Sequence, residues 1–198
     1  MSRKLCLLIS FILVTWLSAV QAEPITVENF SFELPGTGKV QIKDPCVPGW
    51  TQADPNIEAG IESNGKWGAT DGKWTGYLGS GAEIYNLTDY TIQTGDKFQM
   101  VFDAVSTWQA KVLSAELYYD DAGKRVVVAT KEVDLGNLPQ GAWQKDLTLD
   151  FNVGDAPASV GHKIGIQFSH SSGYNHWVGL DNVRLNNLKK TDAPKPAK

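Results

Sequence analysis

Near the C-terminus, in "NHWVGLDNVRL" (175–185), an aspartate interrupts an apolar alternation. At the two-residue period of a strand, Trp177, Gly179, Asp181, Val183 and Leu185 share one face, and Val178, Leu180, Asn182 and Arg184 the other. A carboxylate on a buried face is costly unless hydrogen bonds, a cation or protonation offset it. Four uses stay open for Asp181: contact with a ligand, a metal ligand, a proton donor, or an acceptor for loop N–H groups. The proton donor would need a raised pKa and a pocket beside it.

A second group of residues suits recognition of sugars, whose apolar faces stack on flat rings while Asp and Asn bond the hydroxyls. "NGKWGATDGKW" (64–74) repeats Gly-Lys-Trp and supplies Trp67, Asp71 and Trp74. Trp108 follows a strand, and "HSSGYNHW" (170–177) adds Tyr174 and Asn175. Trp50 and Trp177 sit within strand motifs and are expected in the core. His170 and His176 match no zinc spacing. Acidic pairs assembled from Asp54, Glu58, Glu62, Asp71 and Asp103 arise by chance in an acidic chain, and sequence spacing says nothing of their separation. There is no nucleophile elbow, zincin motif, phosphate loop or dinucleotide fingerprint. Asn86-Leu87-Thr88 is a formal glycosylation sequon.

The elements that must position these residues are short alternating segments. "DKFQMVFDAVS" (96–106), "VLSAELYYD" (112–120), "KRVVVATKEVDL" (124–135), "WQKDLTLDFNV" (143–153) and "HKIGIQFSH" (162–170) each place apolar residues on one side. "ITVENFSFELP" (25–35) is expected to put Phe30, Phe32 and Leu34 on one face, and Trp74–Gly79 is expected to be a strand. About ten such strands with no amphipathic helix and no fixed repeat predict an all-β fold, an antiparallel two-sheet β-sandwich of the jelly-roll kind. Residues 35–82 are looser and rich in Gly, Pro, Asp and Trp, which is where binding chemistry tends to sit.

"MSRKLCLLISFILVTWLSAVQA" has the basic start, apolar run and small-residue end of a secretory signal peptide, with cleavage expected between Ala22 and Glu23. That gives three parts: a signal peptide at 1–22, a β-sandwich domain at 23–188, and a Lys/Pro/Ala tail at 189–198 expected to be disordered. The expected location is secreted, periplasmic or extracellular, with no stable membrane insertion after cleavage. Cys6 leaves with the signal, so Cys46 is alone and no intramolecular disulfide forms. Losing Arg3 and Lys4 moves the net charge from −4 to −6. So acidic a chain disfavours nucleic acid and suits cations.

"VENFSFELP", "VPGW" (47–50), "DGKWTGYLGSGAEIYN" and "GLDNVRL" together resemble secreted galactose-binding-like jelly-roll domains, of which carbohydrate-binding modules are the best known. The signature is also similar to that of the calcium-dependent Stig cyclases, secreted sandwiches that carry out acid-promoted rearrangement and cyclisation in an apolar pocket. The resemblance implies a structural Ca2+ held by Glu33 of "SFE" and Asp181 of "DNV" with backbone carbonyls. In a Stig-type enzyme, Asp181 is instead a candidate acid, and calcium ligation would oppose that role by keeping it ionised. The leading expectation is a secreted, non-catalytic carbohydrate-binding domain with a structural calcium. It binds a carbohydrate or other small molecule through Trp67, Asp71, Trp74, Trp108, Tyr174 and Asn175. The alternatives are a calcium-dependent cyclase using a pocket acid, or a structural envelope protein.

Overall fold

Alternation of β-branched and aromatic residues with polar ones drives this chain into strands. The computed structural model describes residues 20–42, 47–63, 67–171 and 173–190. Most of the expected signal peptide, Cys46, Asn64 and the tail from residue 191 lie outside the described residues. The strands are β1 (Val20–Ile25), β2 (Val40–Gln41), β3 (Thr51–Gln52), β4 (Ala59–Ser63), β5 (Trp74–Gly79) and β6 (Glu83–Thr91). They continue with β7 (Lys97–Trp108), β8 (Val112–Asp121), β9 (Lys124–Asp134), β10 (Gln144–Asn152), β11 (Lys163–His170) and β12 (Trp177–Lys190). β12 thus carries Lys189 and Lys190 of the expected tail.

The strands form two antiparallel sheets. The larger runs β10-β7-β12-β5-β4-β2, with β1 also paired to β12, and the smaller runs β3-β6-β11-β8-β9. Their inner faces meet in one core. Phe32 stacks on Trp50 with centroids 4.8 Å apart, and Phe102 meets Phe168 edge-on at 5.1 Å. Leu149, Phe151 and Val153 are buried while Thr148, Asp150 and Asn152 are exposed, as the alternation in β10 predicts. The antiparallel β1–β12 pair brings the two ends of the fold together.

Two expectations about parity fail, each for a local reason. "ITVENFSFELP" is not one strand: Phe32 is buried, but Phe30 is 41% and Leu34 52% exposed. Asn29, at φ 52°, closes a loop on itself by bonding both the N–H and the C=O of Leu34. Asn readily takes that conformation and competes with the strand ladder.

The second failure concerns β12. Val178, Leu180, Val183 and Leu185 all lie in the core, so the face changes parity between residues 180 and 183. The register shifts between Asp181 and Arg184, where Asn182 has φ 54°. An extra residue there flips the pattern, as a bulge must. Asp181 is therefore not on the core face. It shares the outer face of the larger sheet with Gly179.

Candidate active site on the outer face of the larger sheet

Three rows of residues cross that outer face. Gly60, Tyr77, Gly179 and Val105 are successive cross-strand partners on β4, β5, β12 and β7. One row along, Glu62 faces Thr75 and Asp181 faces Asp103. On the other side, Trp177 packs its ring on Gly79. The glycines make room: a Cβ on Gly179 would lie 2.7 Å from Val105 Cγ1, and one on Gly60 2.9 Å from Tyr77 Oη.

Asp181 is fully buried. Its Oδ2 accepts hydrogen bonds from Thr70 N (2.6 Å), Thr70 Oγ1 (3.0 Å) and Asp71 N (2.9 Å), and its Oδ1 accepts from Asn182 N (2.8 Å). Burial pushes its carboxyl up to about 6, against the pull of those donors. Oδ1 accepts one of these four bonds and Oδ2 three, so a proton meets less opposition on Oδ1. Glu33 grips the same loop further along, its Oε1 accepting from Lys73 N and Trp74 N, both at 2.8 Å. Between these grips Gly72 has φ +68°, and a Cβ there would stand 2.3 Å from Glu33 Oε1. A third grip comes from Trp143, whose Nε1 donates to the carbonyls of Trp67 (3.1 Å) and Gly68 (3.2 Å). The loop Trp67–Lys73 is thus folded down over Asp181.

The two carboxylates expected to hold calcium each accept from N–H groups of the same loop, Asp181 at Thr70 and Asp71 and Glu33 at Lys73 and Trp74. Asp181 Oδ1 and Glu33 Oε2 are the oxygens that loop leaves open, and they are what a calcium would take. Since Ca2+ needs six to eight oxygens, carbonyls and water would supply the rest. Among the described residues no group of three or more His, Cys, Asp or Glu is arranged for a metal. A proton and a calcium would compete for the same Oδ1.

The expected ligand residues do not form one platform. Trp67 and Asp71 belong to the covering loop, where the Trp67 ring lies against Gly141, and Trp74 packs half-buried on the core. Tyr174, 97% exposed, and Asn175 line a cavity of about 400 Å³ with Glu58, Ile57 and Trp177. Trp108 is exposed at the end of β7. Trp50 is core as expected, whereas Trp177 is not: its parity with Gly179 and Asp181 carries it to the outer face. The sequon asparagine, Asn86, is buried and donates to Glu28 O.

Several site residues escaped sequence reasoning. Tyr77 is buried on the outer face, its ring 5.8 Å from that of Trp177, and its Oη has no hydrogen-bond partner among the described residues. Burial first, then Glu58 and Glu62, push its phenol far above the usual tyrosine value. Asp103, named in the sequence only among acidic residues that pair by chance, is buried opposite Asp181, accepts from Asp146 N at 2.7 Å, and receives Asn182 Nδ2 at 3.4 Å. Thr70 supplies two of the four bonds to Asp181. Glycines at 60, 79 and 179 were the available signal, since small residues beside an aromatic on paired strands mark a place where a ring lies down.

No curated protein matches the chain. A Stig cyclase from Fischerella sp. TAU, solved in complex with (3Z)-3-(1-methyl-2-pyrrolidinylidene)-3H-indole, is similar in structure. Its TM-score is 0.70 at 20% identity, covering 86% of this chain and 100% of that one. The carbohydrate-binding module TmCBM61, in complex with β-1,4-galactotriose, superposes at TM-score 0.52 and 16% identity, covering 81% of this chain and 97% of that one. At such identities both likenesses speak for the jelly-roll fold alone. The family described as HpiC1-like, HpiC1 cyclase, matches residues 23–186, nearly the whole sandwich, and the chain belongs to that family.

Proposed function

We propose that the protein is a cyclase-type enzyme in which Asp181 delivers a proton to an apolar, electron-rich small molecule. The observation that carries this reading is the carboxyl of Asp181: wholly buried on an outer face, pushed up to about 6, and able to carry its proton on Oδ1. A group poised near working pH can both give and retake a proton. The proton passes from Oδ1 to the substrate, and the cyclised cation returns one to the carboxylate. Tyr77, Trp177 and Trp143 bring aromatic rings to the same face, and such rings favour developing positive charge. The indole-derived ligand of the Fischerella cyclase suggests the substrate class. Loop Trp67–Lys73 excludes water from Asp181 and must lift to admit substrate.

The test is turnover of indole-bearing substrates prone to acid-promoted cyclisation, followed by mass spectrometry from pH 4.5 to 8. Activity should fall as pH rises through about 6, and Asp181→Asn should lose it by about two orders of magnitude or more. Turnover that is flat with pH and indifferent to Asp181→Asn would sink the proposal.

The cavity at Tyr174 and Asn175 supports a second reading, a carbohydrate-binding protein with a structural calcium on Glu33 and Asp181. On a glycan array with and without calcium, using Tyr174→Ala and Asn175→Ala as controls, that reading requires calcium-dependent binding that the variants lose.

A further inference from the structure

At the Trp177 end of the outer face, a positive charge is held by aromatic rings and a carboxylate. Lys39 Nζ lies 4.5 Å from the centroid of Tyr77, 5.2 Å from that of Trp177 and 3.6 Å from Glu58 Oε1. The same Glu58 Oε1 also accepts from Gln41 Nε2 at 3.1 Å. Two ring faces and a carboxylate around one ammonium make an enclosure selective for cations, because the ring quadrupoles and the carboxylate all present negative charge inward. Glu62 reinforces this, since it and Glu58 both act on the Tyr77 phenol.

The occupant is replaceable. Lys39 reaches in from the segment just before β2 and its side chain is half exposed, so a flexible four-carbon stem can swing into water. Directly beside the enclosure lies the cavity of about 400 Å³ that shares Glu58 and Trp177 with it. Tyr174 stands at its mouth, almost wholly exposed, and Ile57 supplies an apolar wall.

We propose that Tyr77, Trp177 and Glu58 form a binding site for an organic ammonium ion, and that Lys39 occupies it as an internal stand-in until such a ligand displaces it. The cavity beside it would take the ligand's apolar body. Tyr77 and Trp177 also belong to the aromatic face of the proposed reaction site, but none of the three walls is the acid or its loop, so ammonium binding is tested apart from proton donation by Asp181.

The probe is choline, with its neutral isostere 3,3-dimethylbutan-1-ol as the control, titrated while the Trp177 indole N–H is followed by NMR. Lys39→Met keeps the stem and removes the competing charge. It should bind choline at least tenfold more tightly than the wild type does, and at least tenfold more tightly than it binds the alcohol. Adding Glu58→Gln, which leaves the Trp177 reporter in place, should abolish the preference. Lys39→Ala serves as the second variant, with circular dichroism confirming the fold of each. Equal response to choline and the alcohol overturns the site. So does the absence of any response in folded Lys39→Met and Lys39→Ala. Equal choline affinity in wild type and Lys39→Met overturns the role given to Lys39.

Discussion

Two buried aspartates sit at opposite functional extremes of this molecule. Asp96 lies in the turn before β7, and two of its three partners, Tyr90 and Asn187, belong to strands of the two sheets. Its Oδ2 accepts from Tyr90 Oη (2.9 Å) and Gln93 N (2.8 Å), and its Oδ1 from Asn187 Nδ2 (2.8 Å). Asn187 also donates to Tyr90 Oη at 2.8 Å, so the three side chains close a ring tying β6, β7 and β12 together. Asp181 has four donors against three, but three of its four come from one irregular loop that lies over it. A carboxylate whose partners are the frame itself is a fastening. One whose partners can lift away together is a group that can meet a substrate.

Removing each carboxylate should expose that difference, and the largest effect is expected at Asp96. Asp96→Ala removes the acceptor of the Tyr90 hydroxyl and the Gln93 N–H and one of the two acceptors of the buried Asn187 amide, and should cost about 3–5 kcal/mol in chemical denaturation. If it costs no more than Asp181→Asn, the contrast drawn above is wrong. Next comes Gly72→Ala, which meets both a left-handed backbone and the Glu33 carboxylate. A loss of about 1–3 kcal/mol is expected, with faster amide exchange concentrated at Thr70–Trp74 rather than in the core.

Smaller and more specific is the effect of pH. The folded Asp181 carboxyl titrates at about 6 against an ordinary value of 3.8, so between these values the native state keeps a proton that the unfolded chain has lost. Its contribution to stability is therefore present at low pH and is lost as pH rises from about 4 to about 6. Asp181→Asn should flatten the stability profile across that window, and an unchanged slope there would refute the shift. Thr70→Val, which deletes only the hydroxyl bond, should cost about 1 kcal/mol. Because that bond favours the ionised form, the variant should also move the activity midpoint to higher pH.

Much of the fold was legible because strands write their burial at a period of two. β7, β8, β9, β10 and β11 lie within a residue or two of the segments that alternate, and β5 matches Trp74–Gly79. Legibility failed wherever one residue changed parity. Asn29 turned "ENFSFELP" into a loop, and the bulge after Asp181 moved Trp177, Gly179 and Asp181 from the supposed core to the outer face. The residues of the site were partly in view: Asp181, Glu33 and Asp71 stood out by type, and the Gly-Lys-Trp repeat marked the covering loop. Tyr77 and Thr70 did not, and Asp103 showed only as one acid among several, because a tyrosine, a threonine and an aspartate in ordinary strand and loop settings carry no local mark of what crosses over them.

By itself, then, the sequence determined that this protein is a two-sheet sandwich, because alternation leaves each strand only one way to bury its apolar side. It also determined which side chains had the chemistry to matter. The tertiary structure alone decided which face they share, since a bulge of one residue inverts a strand and costs little. It decided too that Asp181 is capped by backbone N–H groups more than a hundred residues away in the chain. Burial and those donors, both products of long-range packing, set the proton affinity on which the proposed chemistry depends.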